Sequence, residues 1–336
     1  MFFAELGAEV VKVENKRTGG DAVRGWRLPD ETKSGPSAYF CAVNFGKTYL
    51  PLDLKDPADR EYLNRLLTDA DIVLSNYREE TARKLGLRYA DLTAVNPRVI
   101  HIGLDGFSGS DKAAYDVVLQ AETGWISMTG ADADHPAKLP VALIDILAGH
   151  QMKEAALLAL ISRERTGKGA DIRVSLEKSS LAALANQATN YLMCGHVAKP
   201  IGTLHPNIAP YGDSFITADG RRTVTAVGSD AQFEKLCTVL GIKDAASDPR
   251  FRTNTDRTKN REALTAILAP AFLRADAAHW DSAMSAAGVP CGTVRRLDEV
   301  LESDAAREMR LEDEIEGRKA SRISGIGFSV NSLGPS

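Results

Sequence analysis

Two periodicities alternate along the first half of the chain. Short β-branched apolar runs, "AEVVKVE" (8–14), "DADIVLSN" (69–76) and "RVIHIGLDGF" (98–107), predict strands. Between the first two, "DPADREYLNRLLTDA" places Tyr62, Leu63, Leu66 and Leu67 at helical spacing, with Asp56 as N-cap and Pro57 at the first helical position. This β-α-β rhythm predicts an α/β fold, an open doubly wound parallel sheet covered by helices, with ligands at the carboxyl ends of the strands. The opening "MFFAELG" reads as the tail of a helix ended by Gly7, so the pattern begins without the strand that normally precedes a first helix.

Past the midpoint the pattern changes. From about Gln187 the chain is irregular, with Pro200, Pro206 and Pro210, and short alternating strands on either side of "ADGRR" predict a hairpin. Helical segments follow at "DAQFEKLCTVLG" and "NREALTAILAPAFL". A chain of 336 residues fits two domains at about 150 residues each. The expected division is a large α/β domain over 1–190, a smaller α+β domain over 191–300 and a C-terminal segment over 301–336.

The strongest helical stripe lies in "DILAGHQMKEAALLALISRERTGKGA", where Ala148, Met152, Ala155 and Ala159 share one face beside Leu147 and Leu158. Basic residues and Gly167 end it. At its entrance one carboxylate, Asp145, interrupts the uncharged runs 141–144 and 146–148. The simplest role for it is an N-cap, which satisfies free backbone N–H groups and contributes about 0.5–2 kcal/mol. A cap could equally be Ser or Thr, so position alone leaves a chemical role open.

Composition narrows the classes of partner. Lys plus Arg number 41 and Asp plus Glu 45, a net charge of −4, which supplies no general field for nucleic acid or an anionic membrane. No apolar run approaches the roughly 20 residues that span a bilayer. The four cysteines, Cys41, Cys194, Cys237 and Cys291, form no CxxC pair, and the six histidines are equally scattered, so neither a disulfide framework nor a structural zinc is expected. The expected setting is the cytoplasm. "LGAEVVKVE" ends in an acidic residue, Glu14, that could hold a ribose, but no GxGxxG accompanies it, which argues against a dinucleotide site.

Six fragments occur in one order: "LGAEVVKVE", "GDAVRGW", "YFCAVNFGKTYLPLDLKDPADREYLNRLLTDADIVLSNYREETARKLGLRYADLTAVNPRVIHIGLDGF", "AYDVVLQAETGWISMTG", "DILAGHQMKEAALLALISRERTGKGADIRVSL" and "HPNIAPYGDSFITADG". Together they resemble the family III CoA-transferases, or CaiB/BaiF family, over nearly the whole chain. The resemblance implies an open α/β large domain, a smaller domain, a closing segment that returns to the large domain, and two identical subunits interlocked like links. It also implies that Asp145 is the nucleophile on an acyl-CoA thioester, passing through an acyl anhydride and an aspartyl-CoA thioester before CoA reaches a small carboxylic acid. By the same resemblance Arg24 meets the nucleotide, Asn76, Tyr77, Arg83, Lys84 and Leu85 hold the adenine and its phosphates, and Tyr115 lies by the thioester. Coenzyme A and acyl-CoA are then substrates, with no tightly bound cofactor.

Two alternatives accompany this reading. The α-methylacyl-CoA racemases among the family's relatives carry "HD" where this chain has "YD", because a proton next to a thioester needs a base on each face. Tyr115, a phenol with an ordinary pKa of about 10, is a poor substitute. Against the family pattern the chain is short at both ends, which raises the further alternative of a non-catalytic paralogue that dimerises or binds CoA without turnover.

Overall fold

The computed structural model describes residues 1–110 and 112–329. The chain divides into two compact units. The first combines Met1–Asp116, Leu143–Ala183 and the segment from Asp298, and the second combines Val117–Ala142 with Leu184–Leu297.

In the first unit the expected strands form where β-branched residues are concentrated. β1 (Val11–Asn15) pairs in parallel with β2 (Thr48–Leu52), and β3 (Ile72–Ser75), β4 (Ile100–Asp105) and β5 (Ala170–Ser175) form a second parallel sheet with β4 central. β4 is covered on both faces, as parallel strands between helices must be, with Ile100 and Ile102 fully buried on one face and His101 2% exposed on the other. The helix Pro57–Asp69 begins as the sequence requires, Asp56 accepting from the N–H groups of Ala58 and Asp59. Its Leu63 and Leu67 pack with Leu52, Leu92 and Val99, each such burial contributing about 1.5–3 kcal/mol.

The longest helix, Leu143–Thr166, buries Ile144, Ala148, Ala156, Ala159 and Arg163. Arg163 fixes it to the sheet by bonding the Asp71 carboxylate at 2.7 Å and the carbonyls of Asp71 and Arg98. Gly167 ends the helix in the left-handed region at φ +70. The flanks differ from the expected stripe. Leu158 and, with it, Ile146, Leu157 and Ile161 are exposed, because between Ile144 and Arg163 the buried positions are Ala148, Ala156 and Ala159.

The second unit contains the expected hairpin, β6 (Tyr211–Ile216) and β7 (Arg222–Ala226), extended antiparallel by β8 (Cys291–Thr293). Helices Asp230–Val239, Arg261–Phe272 and Ala277–Ala287 cover it around Phe215 and Phe272, whose rings stack at 4.6 Å. Arg257 is fully buried there. Its Nε donates to the Ala209 carbonyl, one Nη to that of Phe251, and the other to Asp230 at 2.7 Å. The last strands, β9 (Arg310–Ile315) and β10 (Arg318–Ile323), belong to the first unit, where Ile315 and Ala320 pack on Phe40 and Cys41.

Candidate active site

Asp145 is the third residue of its helix rather than its cap. The capping task falls to Asp116, the first residue of the helix Asp116–Glu122, whose Oδ1 accepts the Ile144 N–H at 2.7 Å. The expected N-cap role for Asp145 is thereby corrected. The free N–H groups of a helix end need an acceptor, and a carboxylate from another helix has reached one of them. Asp145 makes no hydrogen bond or ion pair among the described residues and is exposed.

Its carboxyl titrates above the ordinary aspartate value. Desolvation by the protein around it is the larger cause and the negative charge of Asp116 the second. Backbone N–H groups bonded to the carboxylate would have held it ionised, and the direction is the opposite. An exposed side chain with a raised pKa is one that solvent reaches on one side while protein crowds the other. Tyr115 directly precedes Asp116 and is 64% exposed, so the Asp116–Ile144 bond draws Tyr115 and Asp145 to one helix entrance. His150, further along the same helix, is exposed.

The other candidates divide into two groups. Asn76 and Tyr77 are exposed immediately after β3, at a carboxyl strand end, and lead into the helix Glu79–Leu85. On that helix Arg83 is exposed without a partner among the described residues, and Lys84 pairs with Glu80 at 2.7 Å on the surface. Leu85 packs against the Leu63–Leu92 cluster, and the carbonyls of Leu85 and Gly86 accept from Arg60. Arg24 lies in the turn Ala22–Gly25, and among the described residues its hydrogen bonds and ion pairs go to none of these side chains. Its Nε donates to Glu14 at 2.8 Å, its two Nη atoms to Glu316 at 2.6 and 3.0 Å, and its guanidinium lies 4.0 Å from the Phe40 ring centre.

The profile described as CoA-transferase family III matches residues 1–333. The chain belongs to the family III CoA-transferases. It is 35% identical over 331 residues to a succinate–glutarate CoA-transferase of Agrobacterium fabrum, covering 96% of this chain and 82% of that one. An acetyl-CoA:oxalate CoA-transferase of Acetobacter aceti is 36% identical over 312 residues, covering 91% and 79%. Among solved structures, a CaiB/BaiF family protein from Brucella suis superposes with a TM-score of 0.82 at 36% identity, covering 97% of this chain and 87% of that one.

For a family III CoA-transferase, an enzyme that moves CoA between carboxylates, the residues that sequence reasoning missed are mostly acidic. Asp116 was visible in "AYD" as an aspartate opening an apolar run, but its bond to a helix 28 residues later was not. Glu14 and Glu316 were not expected as partners of Arg24. Lys16 and Arg17 follow the carboxyl end of β1 directly, and ion pairs to Asp59 at 2.5 Å and Asp53 at 3.0 Å hold them. Among the described residues no three His, Cys, Asp or Glu side chains gather as a metal site, and no helix is long and apolar enough to cross a membrane.

Proposed function

We propose that this chain transfers CoA from an acyl-CoA to a small dicarboxylic acid of the succinate–glutarate class, with Asp145 as nucleophile. The observation that carries the reading is the state of Asp145: exposed, without a partner among the described residues, and more basic than an ordinary aspartate. A carboxylate acting as a cap would be engaged. The names of its relatives supply the substrate class.

The Asp145 carboxylate attacks the thioester carbonyl, the C–S bond breaks, and a mixed anhydride and CoA thiolate result. The thiolate then attacks the aspartyl carbonyl, releasing the first acid and leaving CoA as an aspartyl thioester. The acceptor carboxylate attacks that thioester to give a second anhydride and free the thiolate again. The thiolate finally takes the acceptor's acyl group, and Asp145 is regenerated as a carboxylate. Asn76, Tyr77, Arg83, Lys84 and Leu85 would meet the nucleotide, Arg24 a phosphate, and Tyr115 the thioester end.

The working form is a cytoplasmic interlocked homodimer. Supporting this, Tyr191, Leu192, Met193 and Val197 stand out from the helix Ala185–Cys194 and the turn after it, with Leu192 80% exposed, an apolar surface of the kind that partners cover.

Incubation with succinyl-CoA followed by hydroxylamine tests the chemistry. Mass spectrometry should find a hydroxamate on the Asp145 peptide, because an anhydride or thioester is far more electrophilic than a carboxylate. Asp145→Asn should lose both the adduct and succinyl-CoA:glutarate turnover. An adduct elsewhere, or turnover retained by Asp145→Asn, would refute the assignment.

A further inference from the structure

The hairpin between β9 and β10 turns in two residues, Glu316 and Gly317, with φ of +51 and +77. Two positive φ values mark a type I′ turn, whose first position favours Asn, Asp or Gly. Glutamate has no such preference, and its presence in the left-handed region calls for a compensating contact. That contact is Arg24, whose two Nη atoms the Glu316 carboxylate takes at 2.6 and 3.0 Å across 292 positions of chain.

The two sides of Arg24 are unequal. On the inner side Glu14 is buried and takes Nε, and the fully buried Phe40 ring lies under the guanidinium. Gly20 closes this side, since a Cβ there would lie 2.3 Å from Glu14 Oε2 and 2.9 Å from Arg24 Nε. Among the described residues the carboxylate bonded on the outer side is that of Glu316, 42% exposed at a hairpin tip. Arg24 is therefore held rigidly from behind and covered in front by a group that solvent can reach. Two oxygens of a phosphoryl group fit the same fork of N–H donors as a carboxylate does.

We propose that Glu316 is the exchangeable occupant of an anion seat on Arg24, giving way to a phosphoryl group of CoA and so setting the affinity for the nucleotide. This rests on the reading of Arg24 as a CoA contact. An exposed ion pair is weak enough to exchange, and CoA binding must overcome it each time.

Glu316→Asn tests this, because asparagine suits the first position of a type I′ turn and removes the competing charge while the hairpin persists. Calorimetry should show CoA binding tightened roughly two- to fivefold. Binding of pantetheine, which carries no phosphate, should not change. Arg24→Gln tests the underlying reading separately and should weaken CoA but not pantetheine. If Arg24→Gln weakens CoA while Glu316→Asn leaves its affinity unchanged or lowers it, Glu316 is a structural tether and the inference fails alone. If Arg24→Gln has no effect, the Arg24 reading falls and the inference with it. An equal shift for pantetheine in Glu316→Asn would also overturn the proposal.

Discussion

Replacing Asp116 by Asn and by Ala separates two tasks that this residue performs for Asp145. Its Oδ1 accepts the Ile144 N–H at 2.7 Å, and its charge is the second cause of the raised Asp145 pKa. In Asp116→Asn the amide oxygen can still accept that N–H, so the bond at the helix entrance is kept while the charge beside Asp145 is lost. In Asp116→Ala both are lost, and a missing cap costs about 0.5–2 kcal/mol. The nucleophile is the ionised form, so kcat/KM falls as pH drops through the folded pKa. Without the neighbouring charge that pKa moves down, and the acid limb of the Asn variant should lie at lower pH than the parent's. It stays above that of an ordinary aspartate because desolvation, the larger cause, remains.

The stability sign follows the same linkage. A carboxyl whose folded pKa is raised favours the fold when protonated, and that contribution is lost as pH rises through the folded value. At neutral pH ionised Asp145 is therefore a small liability, and because the side chain is exposed the relief in Asp116→Asn stays below about 1 kcal/mol. Asp116→Ala should melt below Asp116→Asn by about 1 kcal/mol, a factor of roughly five in rate if the same loss is felt in the transition state. The assay is succinyl-CoA:glutarate transfer as a function of pH, with thermal melts alongside. An acid limb that stays in place or moves to higher pH in Asp116→Asn would refute the coupling, and equal melting of the two variants would refute the cap.

Arg257→Met should destabilise the protein by about 3–5 kcal/mol in urea unfolding, because the buried carbonyls of Ala209 and Phe251 lose their donor along with the Asp230 pair; a loss under about 1 kcal/mol would show that the site relaxes. Lys47 is held at about 8, by burial first and by Lys12 second, well below an ordinary lysine. In a competitive labelling experiment read by mass spectrometry, the pH profile of its acetylation should rise near 8, below that of exposed lysines, and a profile in the range of ordinary lysines would contradict the shift. Since the charged form carries the burial cost, Lys47→Met should gain stability below about 8, with the advantage fading at higher pH.

Local pattern determined much of the first unit and the hairpin of the second. Strand spacing, the Asp56–Pro57 start and the hairpin around "ADGRR" depend on neighbours within a few residues, where periodicity, capping and turn chemistry act. The same local logic misplaced the cap of the Leu143–Thr166 helix. "ALIDILAG" contains a carboxylate in the right neighbourhood, but the N–H of Ile144 was satisfied from 28 residues earlier, which freed Asp145. The Leu158 face shows a similar limit, since periodicity marks an apolar side chain without saying what covers it.

Charge pairing lay furthest from view in the sequence. Arg24 could be recognised as a basic position, but its inner partner lies ten residues earlier and its outer partner 292 later, on a hairpin tip that only the packing of Ile315 and Ala320 against Phe40 brings near. Sequence by itself determined the elements and which side chains could react, because propensity and residue chemistry are local. Tertiary structure decided which of those side chains are engaged and which are left free, because hydrogen bonds and ion pairs are satisfied by whatever group the fold brings within about 3 Å.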